Sequence, residues 1–247
     1  MTERSSGRPV PAPTATDGAV SASRPERWIV LGDSLSDGMW TRDPDGVGSA
    51  WPGSVARIAS RAGCPLRIVN RSRGGARSID LLEALRREPV VARGDGVAVF
   101  VGANDLWRRW TAWQGQEPLD PDDYARNLGR IVESCLHAGA SVVAVMTPCL
   151  LHADPDHPWN LTLGEYRDEA ARVARAWGAF HVPSGEEMIA SVRAFPDLKW
   201  TYDGVHPRPV GHERIALTWM HHVLGYPEWP VDRLPERPEG HRLARWP

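Results

Sequence analysis

The chain has 247 residues, and its 29 basic and 31 acidic side chains leave a net charge of −2. This near-neutral balance gives no electrostatic reason to expect nucleic acid or an anionic membrane surface as a partner. Three cysteines without a C-x-x-C motif argue against a disulfide framework, and the longest apolar runs are too short for a membrane span.

Three regions are predicted along the chain. Residues 1–24 are rich in Ser, Pro, Thr and Ala and have little to bury, so we expect a disordered N-terminal segment. Because this segment lacks the apolar stretch of a secretory signal peptide, we expect a cytoplasmic protein. Residues 25–226 have a suitable length for one large domain, and residues 227–247 form a Pro/Arg-rich C-terminal tail.

Within the domain, short apolar runs alternate with amphipathic segments. The runs predict five strands, at residues 28–31, 66–69, 97–101, 141–146 and 179–182. The segments between and after them predict six helices, at residues 53–62, 78–87, 120–138, 163–177, 186–194 and 210–224. Apolar strands without alternation are typical of a parallel sheet covered on both faces, so the pattern indicates a three-layer α/β fold.

The first predicted strand stops abruptly at Gly32, Asp33 and Ser34, which favour turns and helix caps. The hydroxyl of Ser34 is thereby placed at the carboxyl end of a central strand, where open α/β sheets bind their ligands. A serine hydroxyl is a poor nucleophile until a neighbouring base takes its proton. Ser34 is therefore a candidate nucleophile whose base must come from elsewhere in the chain.

Asp203 and His206 form the constellation best suited to supply that base. In a tight loop, residues three positions apart can lie on one side, so the carboxylate can accept from one ring nitrogen while the other faces a serine. This is the division of roles in a Ser-His-Asp triad. The alternative is that both residues only cap and turn the chain before the last helix.

An oxyanion site is the remaining requirement for acyl transfer. Three hydrogen-bond donors follow successive predicted strands: the N–H of Ser34, the N–H of Gly75 and the side chain of Asn104. The same edge of a parallel sheet would gather them. Taken singly, Gly75 could be an ordinary turn glycine and Asn104 a loop residue that bonds its own backbone.

Together these segments resemble, in order, the four sequence blocks of the SGNH/GDSL serine hydrolases: Gly32 to Leu35, Asn70 to Gly75, Gly102 to Asp105, and Asp203 to His206. The resemblance implies a flavodoxin-like α/β/α fold with a five-stranded parallel sheet of order 2-1-3-4-5. It also implies metal-independent hydrolysis of a small-molecule ester through an acyl-enzyme on Ser34, with His206 as base and Asp203 as its orienting acid. The oxyanion hole would comprise Ser34, Gly75 and Asn104, although Gly74 is an alternative to Gly75.

Candidate substrate-binding residues are Asp33, beside the nucleophile, and three tryptophans that follow Asn104. Trp107, Trp110 and Trp113 recur every three residues and could share one helical face near the site. They would then wall an acyl or aromatic pocket. Large aromatic side chains are more often packing residues, so the alternative is that they anchor this segment to the core.

No cofactor is predicted. Residues 152–157 contain two histidines and two aspartates, but their spacing is not that of a regular metal site, and we expect a polar loop without metal. An acyltransferase using the same acyl-enzyme with a hydroxyl acceptor remains an alternative function. A non-catalytic binding module is disfavoured, because every motif residue of the triad is present.

Overall fold

The computed structural model describes residues 25–111 and 115–233. The predicted disordered segment 1–24, Trp113 and the end of the predicted tail from residue 234 lie outside the described residues. The first part of that tail is described, and the buried guanidinium of Arg214 binds it by donating to the carbonyl oxygens of Trp229, Pro230 and Arg233.

Five parallel strands form one sheet, in the order β2-β1-β3-β4-β5. The strands are β1 (Arg27–Gly32), β2 (Arg67–Asn70), β3 (Gly96–Phe100), β4 (Val142–Met146) and β5 (Phe180–Val182). In the register of the sheet Val30 lies opposite Asn70 on one side and Ala98 on the other, which sets β1 between β2 and β3. The predicted fold class and strand order are confirmed.

Eight α-helices complete the described fold: α1 (Ser34–Asp37), α2 (Trp51–Arg61), α3 (Ser78–Arg87), α4 (Ala103–Trp107), α5 (Pro121–His137), α6 (Pro158–Trp177), α7 (Ser184–Ala194) and α8 (Pro209–Leu224). Alternate residues of β1 point into two separate cores, with Trp28 and Val30 on one face and Ile29 and Leu31 on the other. Helices α2, α7 and α8 cover the first face, and α3, α5 and α6 cover the second. Among the described helices, none has the length and apolar character to cross a membrane.

Helices α2, α6, α7 and α8 begin earlier than predicted, and in α2 and α6 a first-turn proline accounts for the difference. Helix α2 begins at Trp51 with Pro52 in its first turn, and α6 begins at Pro158, five residues before the predicted start. The predictions were wrong because these prolines were assigned to loops. A first-turn proline fits a helix well, since its missing N–H would have no partner within the helix.

Helices α1 and α4 were not predicted, because segments of four and five residues are too short to show helical periodicity. Both follow a strand directly: α1 follows β1 and α4 follows β3. They turn the chain sharply at the carboxyl edge of the sheet. The residues of the candidate site lie on these two turns and on neighbouring loops.

Candidate active site

The side chains of Ser34, His206 and Asp203 form a chain of hydrogen bonds. The Ser34 Oγ is 3.1 Å from His206 Nε2, and His206 Nδ1 is 2.6 Å from Asp203 Oδ2. A carboxylate can only accept, so His206 carries its proton on Nδ1 and leaves Nε2 free to accept from the serine hydroxyl. The structure therefore brings the three predicted residues together in the geometry of a Ser-His-Asp triad.

The loop before α8 is shaped by Asp203 itself. Its Oδ1 accepts from the backbone N–H groups of Val205 and His206, at 3.0 and 2.8 Å. Partial burial raises the pKa of Asp203, but these bonds and the imidazole outweigh it and hold the pKa below its usual range. Gly204 has φ +95°, a conformation that glycine adopts without strain. Asp203 is therefore an anion that both folds the loop and faces the ring of His206.

The predicted oxyanion donors lie at the ends of three neighbouring strands. Ser34 is the first residue of α1, where helical N–H groups have no partner within the helix. Gly75, with φ +77°, follows β2, and Asn104 is in α4 after β3. Asn104 lines the same cavity as Ser34 and His206. The parallel sheet thus gathers all three at one edge.

Hydrogen bonding distinguishes Gly74 from Gly75 as the candidate backbone donor of the oxyanion hole. The N–H of Gly74 donates to Asp37 Oδ2 at 2.9 Å, so it is already engaged. Asn70 supports the loop by donating from Nδ2 to the carbonyl oxygens of Ser36 and Val47, and by accepting from the N–H of Ser72. The engaged N–H of Gly74 favours Gly75 as the donor.

Asp33 lies beneath the site and does not line the cavity. It is 1% exposed, and its Oδ1 accepts from the N–H of Leu35 as the N-cap of α1. Its Oδ2 accepts from Asn104 Nδ2 at 3.3 Å. Burial raises the pKa of Asp33 to about 7, against the lowering effect of the bond from Leu35. This burial leaves Asp33 no direct contact with a substrate, and its contacts are those of a residue that supports Asn104.

A cavity of about 240 Å³ opens over the triad. Its lining combines the reactive side chains with apolar ones: Ser34, Leu35, Ala103, Asn104, Trp107, Leu151, Asp203, Val205 and His206. This volume is below the roughly 300–1,000 Å³ typical of pockets for drug-sized ligands. The cavity therefore suits a small group at the reacting carbon.

Two of the three predicted tryptophans join an aromatic cluster beside this cavity, and Trp113 lies outside the described residues. Trp107 lines the cavity and meets Trp159 edge to face at 5.1 Å, while Trp110 stacks on Trp159 at 4.8 Å. Trp110 remains 38% exposed. Both tryptophans therefore pack against α6, and Trp107 also forms part of the cavity wall.

The His152 to His157 loop supports this cluster. The two imidazole rings stack at 3.9 Å, and each accepts on Nδ1 from a backbone N–H two residues later, of Asp154 and Trp159 respectively. His157 thereby caps α6. Among the residues the structure describes, no group of three or more His, Cys, Asp or Glu side chains is arranged to hold a metal ion.

Two residues near the site were missed by the sequence predictions. Arg108 contacts Asn104 from one helical turn away, a spacing that would have indicated it had α4 been predicted. Trp159 was assigned to a loop because α6 was predicted to begin later. Nothing in its local sequence indicated a contact with Trp107.

Comparison with known proteins agrees with the geometry. The family model described as the GDSL-like lipase/acylhydrolase family matches residues 30–214. An acetylxylan esterase from Geobacillus stearothermophilus is 24% identical over 217 residues, which cover 84% of this chain and 97% of that protein.

Solved structures are similar across the same span. The crystal structure of Axe2, an acetylxylan esterase from Geobacillus stearothermophilus, has a TM-score of 0.71 at 21% identity, covering 84% of this chain and 96% of the other. LAE5, described as an alpha/beta hydrolase enzyme from the metagenome of Lake Arreo, has a TM-score of 0.69 at 21% identity, covering 80% and 94%. Because the family match covers most of the chain and includes every segment of the triad, the chain belongs to the GDSL-like lipase/acylhydrolase family and is a carboxylic ester hydrolase.

Proposed function

We propose that this enzyme removes a short acyl group from a hydroxyl of a carbohydrate, through an acyl-enzyme on Ser34. The observation that carries the mechanism is the contact series from Ser34 Oγ to His206 Nε2 and from His206 Nδ1 to Asp203 Oδ2. Such a series activates a serine by general-base catalysis.

The reaction divides into two displacements. Ser34 Oγ attacks the ester carbonyl while His206 Nε2 takes its proton, and the oxyanion is stabilised by the N–H groups of Ser34 and Gly75 and by the Asn104 amide. The bond to the alcohol then breaks, and the imidazolium returns the proton to the departing oxygen. Water repeats the sequence on the acyl-enzyme, with His206 again as base, and releases the acid and free Ser34.

Water, in preference to a second alcohol, is favoured as the acceptor. The side chains of His206 and Asp203 are 48% and 53% exposed, so solvent reaches the triad directly. Acyl transfer to another hydroxyl requires a site that excludes water from the acyl-enzyme. The open triad supports hydrolysis.

The proposed substrate class has three supports. The small cavity over Ser34 fits an acetyl-sized group better than a long acyl chain. The relatives with similar sequence and fold include an enzyme named acetylxylan esterase. The exposed face of Trp110 offers a flat apolar surface of the kind that packs against the C–H face of a sugar ring.

Labelling with a fluorophosphonate tests the proposed nucleophile. We expect one phosphonyl adduct per chain, and peptide mass spectrometry should locate it on Ser34, because the reagent needs an activated serine beside an oxyanion hole. Prior incubation with an acetyl ester should slow labelling. An adduct on another serine, or an unlabelled and fully active enzyme, would contradict the assignment.

Replacing Trp110 with alanine tests the carbohydrate surface. We expect the KM for an acetylated xylooligosaccharide to rise about tenfold, equivalent to a loss of about 1.4 kcal/mol of binding. The KM for p-nitrophenyl acetate should stay within about twofold, because the small ester occupies only the cavity.

Trp177→Ala is the matched control for this variant. Trp177 is 40% exposed, nearly the same as Trp110, but lies at the opposite end of α6 from Trp159, roughly 27 Å away at 1.5 Å per residue. We expect the control to leave both KM values unchanged. Equal changes on both substrates with Trp110→Ala would contradict a sugar-binding role.

A further inference from the structure

Arg108 contacts two of the three segments that supply donors to the proposed oxyanion hole. It lies directly after α4, four residues beyond Asn104, and is only 5% exposed. Its Nη1 donates to Asn104 Oδ1 at 3.2 Å and its Nη2 to the carbonyl oxygen of Gly75 at 2.7 Å. The Nε donates to Gln116 Oε1 at 2.7 Å, which orients the plane of the guanidinium.

The amide of Asn104 is held between groups of opposite character. Arginine has only donors, so the amide atom facing Arg108 must be the oxygen. The amide nitrogen consequently faces two acceptors, the carbonyl oxygen of Ala76 at 3.1 Å and Asp33 Oδ2 at 3.3 Å. With its oxygen held by Arg108, the Asn104 amide keeps its nitrogen on the side of Ala76 and Asp33, and the N–H on Asp33, the longer of the two contacts, is the one that a substrate oxyanion would take over.

The contact also makes Asn104 a better donor. A charge-assisted hydrogen bond to the amide oxygen polarises the amide and strengthens the N–H groups on its nitrogen. This effect operates in a buried setting, where electrostatic interactions are less screened than in water.

On the neighbouring loop, Arg108 restrains Gly75. Gly75 has φ +77°. The direction of its N–H depends on the backbone dihedral angles at this residue. A 2.7 Å bond from the guanidinium to its carbonyl oxygen restrains those angles. One side chain thus links two donors that come from different strands.

Burying a cation here requires compensation. The carboxyl groups whose charges favour the Arg108 cation are those of Asp80, Asp105 and Asp33, while the charge of Arg77 opposes it. A neutral residue could fill the same space without desolvating a charge. The contacts to Asn104 and Gly75 give the charge a function.

We infer that Arg108 is a positioning residue for catalysis, which turns the Asn104 amide and fixes the Gly75 peptide so that both donors converge on the substrate oxyanion. This inference rests on the proposed function. It assigns Arg108 no contact with the reacting atoms.

Arg108→Lys is the direct test, since lysine keeps the charge but cannot bridge two carbonyl oxygens in one plane. We expect kcat for p-nitrophenyl acetate to fall about 10- to 100-fold, below the roughly 10²–10³ lost with a whole oxyanion donor. The KM should change less than about threefold, because the ground-state ester makes little use of the oxyanion hole. An unchanged kcat would overturn the inference.

A double-mutant cycle separates positioning from a general structural role. If Arg108 acts through Asn104, Arg108→Lys in an Asn104→Ala background should lower kcat by less than it does alone. Full additivity of the two losses would overturn the inference. Arg109→Ala is the control for loss of a neighbouring charge, since Arg109 is exposed, and it should retain wild-type kcat.

Two further measurements keep the test decisive. Circular dichroism and the thermal midpoint establish that each variant is folded. Arg108→Gln, whose neutral amide donates from a single nitrogen, replaces the lysine variant if that one does not fold. An active Ser34→Ala enzyme would refute the proposed function itself. An inactive Ser34→Ala enzyme together with a fully active Arg108→Lys enzyme would refute only the role of Arg108.

Discussion

Replacing Ser34 with alanine is expected to lower kcat/KM for acetyl esters by about 10⁴-fold or more, since the nucleophile of the acyl-enzyme is removed. Any residual rate would come from the oxyanion hole and from substrate binding. The change deletes a single oxygen, and the cap of α1 is made by Asp33, so the fold should be unaffected. Steady-state kinetics should therefore show a loss of turnover, while the thermal midpoint should stay unchanged.

Ser36→Ala is the informative control, because this second serine lies two residues away in the same helix. Ser36 is fully buried, and its Oγ accepts from Trp51 Nε1 at 2.9 Å. Removing it leaves a buried indole N–H without a partner, which costs roughly 1–3 kcal/mol. We expect a lower thermal midpoint with turnover retained, the reverse of Ser34→Ala. Esterase activity that stayed at the level of the unmodified enzyme after Ser34→Ala would require another nucleophile.

The parts of the site that could be predicted from sequence share one physical feature. Ser34, Gly75 and Asn104 each follow a strand of a parallel sheet, and the carboxyl ends of such strands meet at one edge. Once the strands were recognised, the convergence of their trailing residues followed. His206 and Asp203 could be added because a three-residue spacing in a loop needs no knowledge of distant packing.

The parts that could not be predicted depend on contacts between segments. Arg108 reaches Gly75 only because α4 turns it toward the loop after β2, and a five-residue helix leaves no periodic signal. Trp159 meets Trp107 and Trp110 only because α6 begins at Pro158. Asp33 was predicted to contact the substrate because it precedes Ser34. At the start of α1, however, its carboxyl group turns inward, beneath Asn104.

Replacing Asp203 with asparagine is expected to lower kcat by about 10⁴, the magnitude seen when a Ser-His-Asp triad loses this charge. The asparagine Oδ1 can still accept from the N–H groups of Val205 and His206, so the loop should keep its shape. The new NH₂ group would stand where Oδ2 now lies, 2.6 Å from His206 Nδ1. Two donors cannot face each other, so the imidazole would move its proton to Nε2 and could no longer accept from Ser34.

The signature of this variant is a loss of kcat without a loss of fold or of substrate affinity. Kinetics with p-nitrophenyl acetate at pH 7 and fluorophosphonate labelling should decline together, because both need His206 to accept the proton of Ser34. Asp154→Asn makes the same chemical change in an exposed loop residue and should leave kcat unchanged. If Asp203→Asn kept kcat within tenfold of the unmodified enzyme, Asp203 would only shape the loop, and the choice of tautomer on His206 would have another cause.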